Sequence, residues 1–203
     1  MELSQVYQQL LTDNTSCFFQ GFNGVLVTPE EFALSDSYYS LNKLNVYSGS
    51  FNPLHDGHKA IYESMPNWPY GVKVFELSIN RSDKAPLSLE DMETRLKQFV
   101  CYAPVLITNV SKFVEKAGLL RRFEDGITFY VGADTFKRIL RDHSVPEIQG
   151  MNCEFVIYNR IVEGNSVMEL PKNLPVNCRY GIQLSENLMK LSSTSIRNGR
   201  TVP

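Results

Sequence analysis

Residues 48–58 decide the fold, and they read Ser48-Gly49-Ser50-Phe51-Asn52-Pro53-Leu54-His55-Asp56-Gly57-His58. A short apolar run, 44–47, reads as a strand, and 58–65 reads as a helix. The Gly-Ser and Asn-Pro pairs between them indicate a turn. A strand, a small-residue loop and a helix suit phosphate binding, because glycine permits close approach and the N–H groups that open a helix favour anions. The stretch therefore predicts an anion site with two imidazoles, three residues apart, beside it.

Length and charge limit the class of protein. The 203 residues suffice for one domain, or one domain with an appendage, and for a proper core. A formal net charge of -2 and a pI near 5.9 argue against a protein that coats nucleic acid. Small anions are the better partners, and we expect no nucleic-acid partner.

Cysteine spacing and hydropathy indicate the compartment. Cys17, Cys101, Cys153 and Cys178 have neither the spacing of a zinc site nor the density of a secreted disulfide scaffold. No uninterrupted apolar run approaches the ~18 residues of a membrane span, and the polar start has no positively charged leader. We therefore expect a cytoplasmic protein that does not enter a membrane.

Beyond the opening loop, strand and helix patterns alternate. Apolar runs predict strands at 72–79, 105–110, 127–131, 153–158 and 176–184, and amphipathic runs predict helices at 89–102, 112–123, 135–141 and 193–198. Ser88, with Asp91 three residues later, has the signature of a helix N-cap. Strands joined by helical crossovers predict an α/β fold, a mainly parallel Rossmann-like sheet with helices on both faces.

The first 43 residues read as an N-terminal extension packed on a main domain of residues 44–203. About 40 residues alone rarely hold a core. Residues 2–12 carry an amphipathic helical stripe, and runs at 16–20 and 24–28 flank Gly21-Phe22-Asn23-Gly24, which is typical of a hairpin.

Two further loops follow strands and suit a nucleotide. Gly132-Ala133-Asp134-Thr135 follows an apolar strand, and its carboxylate could accept hydrogen bonds from ribose hydroxyls or cap the next helix. Residues 190–197, Lys-Leu-Ser-Ser-Thr-Ser-Ile-Arg, bring hydroxyls and a guanidinium to a helix start, which suits a phosphate clamp. Ligands of parallel sheets bind beyond the carboxyl ends of the strands, so we expect the three loops to meet there.

Together these motifs resemble the nucleotidyltransferase superfamily that carries a His-x-Gly-His signature. The resemblance is nearest to nicotinamide and nicotinate mononucleotide adenylyltransferases, and it covers residues 44–200. The motifs that carry this resemblance are residues 49–53 with 55–58, then 132–134, then 193–197, and they occur in the same order as in the family. It implies a nucleotidyltransferase fold and transfer of AMP from ATP to a mononucleotide, with release of pyrophosphate.

The resemblance also implies roles for the residues of these motifs. His55 and His58 would donate hydrogen bonds to the α-phosphate, and Arg197 would hold the leaving phosphates, which makes these three the catalytic set. The nucleotide-binding set is Gly49, Ser50, Phe51, Gly57, Gly132, Asp134, Ser193 and Thr194. Mg²⁺ is expected as the cofactor, bound mainly through the triphosphate, with no protein metal ligand. Cations after the second strand, Lys84 and Arg81, are candidates for the acceptor phosphate. Family members form various oligomers, so a homo-oligomer is compatible with the resemblance.

Alternatives remain for the acceptor and for individual residues. Many bacterial relatives that use nicotinate mononucleotide have Asp where this chain has Asn52, and a Trp after the Gly-x-Asp loop that stacks on the pyridine. The one Trp here is Trp68, so Phe136 or Tyr158 could stack instead, and the identity of the pyridine stays open. An adenylyl- or cytidylyltransferase with another phosphorylated acceptor, and a nucleotide-binding or ATP-hydrolysing relative without transfer, are the competing functions. His143 reads as a surface residue at a helix end.

Overall fold

The computed structural model describes residues 1–34, 43–67, 71–80, 85–121, 126–159, 161–162, 166–167 and 173–199. Within these residues the helices are α1 (Leu3–Thr12), α2 (Pro29–Leu34), α3 (Asp56–Ser64), α4 (Leu89–Lys97), α5 (Phe113–Leu119), α6 (Ala133–Asp142), α7 (Val145–Gly150), α8 (Glu186–Lys190) and α9 (Ser193–Arg197). The strands are β1 (Cys17–Gln20), β2 (Leu26–Val27), β3 (Lys43–Ser48), β4 (Val72–Ser78), β5 (Val105–Thr108), β6 (Gly126–Gly132), β7 (Cys153–Tyr158), β8 (Ile161–Val162), β9 (Ser166–Val167) and β10 (Cys178–Tyr180).

One sheet organises the described chain. Its strand order is β10-β7-β6-β3-β4-β5-β1-β2, and every pairing from β10 to β5 is parallel. The chain runs from β3 through β4 to β5 in one direction and then returns to β6, β7 and β10 on the other side of β3. The direction therefore reverses between β3 and β6, which is the switch point where parallel sheets bind ligands. The predicted Rossmann-like fold is confirmed.

Helices cover both faces of this sheet. Side chains of α1, α3 and α4 pack with Tyr47, Phe75 and Leu77 on one face. Side chains of α2, α5, α6 and α7 pack with Val46 and Val74 on the other. Because neighbouring residues of a strand point to opposite faces, β3 and β4 each contribute to both cores.

The N-terminal residues extend the sheet. β1 and β2 pair antiparallel, as the hairpin signal predicted, and β1 pairs antiparallel with β5. Helix α1 lies near α4, and the hydroxyl of Tyr7 donates a hydrogen bond to the carbonyl of Leu87 at 2.7 Å. The division into an extension of 1–43 and a domain of 44–203 stays a prediction.

Several predicted elements are longer than the observed ones. Helix α4 ends at Lys97 rather than 102, because Cys101 has a φ of 61°, which an α-helix cannot contain. Helix α5 ends at Leu119, and residues 122–123 of the predicted helix lie outside the described residues. Strand β10 begins at Cys178, because the N–H of Cys178 closes a turn onto the carbonyl of Pro175. The N-cap prediction at Ser88 is confirmed, since its hydroxyl accepts the N–H of Asp91 at 3.1 Å.

None of the helices in the described ranges has the length and apolar character that crossing a bilayer would require.

Candidate active site at the carboxyl ends of the strands

A cavity of about 520 Å³ lies at the carboxyl ends of β3, β4 and β6. All three predicted loops contribute to its lining, which confirms the expectation that they meet. Its described basic side chains are Arg95, Lys112, Lys116, Arg138, Arg141 and Arg197, against the acidic Glu76, Asp134 and Asp142. Arg141 hydrogen-bonds to Asp142 and holds the pKa of that carboxyl below its ordinary value. The excess of basic groups favours an anionic ligand.

Helix α4 fixes the loop that follows β3. The buried guanidinium of Arg95 donates to the carbonyl of Ser50 at 2.8 Å. The amide of Gln98 donates to the carbonyl of Phe51 at 2.9 Å and accepts the N–H of Leu54 at 2.8 Å. These contacts hold a fully buried Phe51 at a φ of 45°. A Cβ on Gly49 would lie 2.6 Å from the Phe51 ring, so the turn needs glycine there.

The two histidines differ in their surroundings. Their rings stack, with centroids 3.6 Å apart, and His58 also meets the edge of Phe51 at 5.1 Å. His58 lines the cavity, whereas His55 is buried beside it as the N-cap of α3. The Nδ1 of His58 accepts the backbone N–H of His55 at 3.3 Å. A neutral imidazole that accepts at Nδ1 carries its proton on Nε2, so His58 can act as a donor through Nε2.

Helix α9 docks on the same loop. The hydroxyl of Ser193 donates to the carbonyl of Pro53 at 2.9 Å, across 140 residues of sequence. The guanidinium of Arg197 donates to the carbonyl of Asn52 and to the hydroxyl of Thr194. Ser192 caps the helix by accepting the N–H of Ser195 at 3.0 Å. The last motif of the chain is thereby joined to the first.

The loop after β6 brings a carboxylate to the cavity. Helix α6 begins at Ala133, its N-cap is Gly132, and Asp134 is its second residue. The alternative that Asp134 caps a helix beginning at Thr135 is therefore wrong. A Cβ on Gly132 would lie 2.7 Å from Oδ1 of Asp134, so glycine leaves the space that this carboxylate occupies.

A buried ion pair forms the floor of the cavity. The ammonium of Lys116 lies 2.6 Å from Oε2 of Glu76, and the hydroxyl of Thr108 donates to Oε1 at 2.6 Å. The side chains of Glu76 and Lys116 are only 1% and 7% exposed. The sequence motifs do not include this ion pair, although a glutamate inside the apolar run 72–79 is a signal for it.

The remaining predicted residues fall into three groups. The predicted residues that line the cavity are Gly49, Ser50, Phe51, His58, Gly132, Asp134, Ser193, Thr194 and Arg197. His143, at the end of α6, lines it too. His55 and Gly57 do not line it. Phe136 and Tyr158 are buried in the core and do not line it either, so the expectation that one of them stacks on a pyridine there is wrong. Arg81, Lys84 and Trp68 lie outside the described residues.

The fold and the arrangement of loops define the class as a Rossmann-like α/β protein whose three loops meet at the switch point of a parallel sheet. No family model matches the chain. The chain is 26% identical over 170 residues to a probable nicotinate-nucleotide adenylyltransferase of Fusobacterium nucleatum, and the match covers 77% of this chain and 86% of the relative. This match supports the resemblance to nicotinate mononucleotide adenylyltransferases that the motifs predicted.

Solved structures agree on the fold. The chain is similar to the Plasmodium falciparum nicotinic acid mononucleotide adenylyltransferase complexed with NaAD, with a TM-score of 0.52 and 16% identity. The same enzyme complexed with APC gives a TM-score of 0.50 and 14% identity. Each likeness covers 77% of this chain and 82% of the other.

Proposed function

We propose that this protein is an adenylyltransferase that transfers AMP from ATP to nicotinate or nicotinamide mononucleotide and releases pyrophosphate. The observation that carries the proposal is the docking of α9 on the loop after β3, through Ser193 and Arg197. It joins a hydroxyl-rich helix start and a guanidinium to the loop that carries His58. The relative and the solved neighbours, both named as nicotinate-nucleotide or nicotinic acid mononucleotide adenylyltransferases, support the enzyme class.

The reaction is a single displacement at phosphorus. An oxygen of the acceptor phosphate attacks the α-phosphorus of ATP, and one P–O bond forms. The bond from the α-phosphorus to the bridging β-oxygen breaks, and its electron pair leaves with pyrophosphate. No covalent enzyme intermediate is needed, so the chain has to supply positioning and donors for the developing charge.

Residues of the predicted site then have roles within this proposal. Nε2 of His58 donates to an α-phosphate oxygen, and the loop at Gly49 and Ser50 lies against the phosphates. Arg197 turns its donors toward the leaving pyrophosphate. Asp134 accepts hydrogen bonds from ribose hydroxyls. His55 supports His58 from behind by ring stacking at 3.6 Å.

The proposed reaction uses a Mg²⁺ ion that arrives with the triphosphate. Among the described residues, no group of three His, Cys, Asp or Glu side chains could hold a metal ion. Mg²⁺ keeps most of its waters and binds phosphate oxygens, so it needs few protein ligands. When bound, it would neutralise part of the triphosphate charge. The Mg²⁺ requirement, the cytoplasmic location and homo-oligomer formation stay predictions.

A substrate panel tests the proposal. Purified protein with Mg²⁺ is incubated with ATP or CTP against nicotinate mononucleotide, nicotinamide mononucleotide and a polyol phosphate, and pyrophosphate and dinucleotide are measured. We expect both products with ATP and a pyridine mononucleotide. A preference for CTP, or turnover only with another acceptor, would replace the proposed reaction. Binding of ATP without turnover on any acceptor would favour a nucleotide-binding relative.

A further inference from the structure

We infer that Lys116, held by Glu76, forms with Ser48 a subsite that binds the phosphate of the acceptor mononucleotide. The inference rests on the proposed function and deepens it. All three residues line the cavity, and none of them belongs to the catalytic or nucleotide-binding sets given above.

The sheet register brings the floor residues to one face. Ser48 and Glu76 are paired in register on the parallel strands β3 and β4, so their side chains share a face of the sheet. Helix α5 packs on that face and carries Lys116. The backbone N–H of Gly49 donates to the carbonyl of Glu76 at 3.1 Å. This bond ties the floor directly to the start of the phosphate loop.

The ion pair is pre-organised for an anion. Glu76 accepts from Lys116 and from Thr108, both at 2.6 Å, so its two oxygens are already engaged. A lysine ammonium has three donors, and the pair with Glu76 uses one of them. Both side chains line the cavity, and Lys116 is the more exposed of the two at 7% against 1%. A buried pair of this kind keeps the ammonium in one position without a ligand.

The hydroxyl of Ser48 is a second, independent indication. It is buried, it lines the cavity, and its Oγ has no hydrogen-bond partner within the described part of the chain. A buried hydroxyl without a partner is costly and calls for an explanation, which a bound ligand would supply. It lies one residue before Gly49, on the same face as Glu76, so it can donate to the group that Lys116 binds.

The chemical class of the ligand follows from the donors. An ammonium and a hydroxyl beside a glycine turn suit a phosphate monoester. The acceptor phosphate must lie next to the α-phosphate in an in-line displacement, and the floor adjoins the loop that carries Ser50 and leads into His58. The proposed function already assigns Arg197 to the leaving pyrophosphate, so we assign this subsite to the attacking group.

The experiment separates binding from folding. Lys116→Met alone leaves Glu76 buried without its partner, so we expect a lower melting temperature. The double variant Glu76→Gln with Lys116→Met replaces the pair by neutral groups of similar shape and should recover the melting temperature. Binding of nicotinate mononucleotide, measured by titration calorimetry, should weaken about tenfold or more in the double variant, while the Kd of ATP changes little. Lys97→Met, which removes an exposed partner of Glu93 on α4, is the matched control with wild-type binding.

Two further measurements sharpen the result. Nicotinate riboside lacks the phosphate, so wild type and double variant should bind it equally. Ser48→Ala should weaken mononucleotide binding without lowering the melting temperature, because it removes a buried hydroxyl that has no partner. Wild-type mononucleotide affinity in a refolded double variant would overturn the subsite and leave the proposed function standing. A wild-type protein that binds neither ATP nor the mononucleotide would overturn both.

Discussion

His55 and His58 stack with their ring centroids 3.6 Å apart and their planes 22° apart, yet of the two only His58 lines the cavity. Two residues that belong to one motif are therefore expected to fail in different ways. We expect the buried ring of His55 to support the ring of His58, and we propose that the half-buried His58 is the one that contacts substrate.

Replacing His58 should impair the reaction without unfolding the protein. In His58→Ala we expect kcat/KM to fall about 10²- to 10³-fold, because a donor to the charge on the α-phosphate is lost. His55→Ala should lower the melting temperature as well, since it leaves a cavity behind the remaining ring. Steady-state kinetics and thermal unfolding of both variants check this. A His55→Ala protein with wild-type stability and no activity would mean that His55 itself contacts substrate.

Two glycine substitutions should have opposite effects. In Gly49→Ala the new Cβ would lie 2.6 Å from the buried ring of Phe51, so the phosphate loop must shift, and both activity and stability should fall. In Gly118→Ala, on helix α5, the Cβ meets nothing within 4 Å, and the free energy of unfolding should rise by about 0.5–1 kcal/mol. Urea unfolding and kinetics measure the two. Equal activity in both variants would contradict the role given to the turn.

The guanidinium of Arg197 should matter beyond its charge. It donates to the carbonyl of Asn52 and the hydroxyl of Thr194, and lysine cannot reproduce two such bonds from one planar group. In Arg197→Lys we expect kcat/KM for ATP to fall about tenfold to a hundredfold. The same change at the exposed Arg121, just beyond α5, is the control and should leave kinetics unchanged. Full activity in Arg197→Lys would mean that only the positive charge of this residue matters.

Alkaline pH should weaken the fold through buried acids. Burial raises the pKa of Tyr130 from 10.0 to about 12, and that of Cys153 from 9.0 to about 12. A raised pKa in the folded state means that the unfolded chain loses its protons first, so stability is complete below pH 9 and falls between about pH 9 and 12. Tyr130→Phe removes one of these groups and should lose less stability across that interval than wild type. Urea unfolding at several alkaline pH values tests this, and parallel curves for the two proteins would contradict it.

Local signals in the sequence predicted much of the fold. The helix start at Ser88 and the hairpin around 21–24 depend on neighbours a few residues away, and both are present. The alternation of strands and helices was enough to predict a parallel sheet, because strands that are joined by a helical crossover can pair in few other arrangements. Short helices such as α7 were missed, although Ser144 and Glu147 form a capping box, because one and a half turns show no periodicity.

The parts of the candidate site that lie in recognisable motifs could be predicted from the sequence. The contacts between residues far apart in the sequence could not. The loops at 48–58, 132–134 and 193–197 could be recognised as stretches. The bonds from Arg95 and Gln98 to the first loop cross 45 or so residues and follow only from how α4 packs. The pairing of Glu76 with Lys116 likewise joins β4 to α5 across 40 residues. No local pattern specifies such contacts, and they determine the shapes of the first loop and of the floor.

The most direct test of the account is the product balance of the reaction itself. Protein, Mg²⁺, ATP and nicotinate mononucleotide are incubated, and dinucleotide and pyrophosphate are quantified together by mass spectrometry and a coupled assay. We expect equal amounts of the two products from wild type and a loss of both in His58→Ala. Phosphate and ADP in their place, or full product formation by His58→Ala, would contradict AMP transfer at this site.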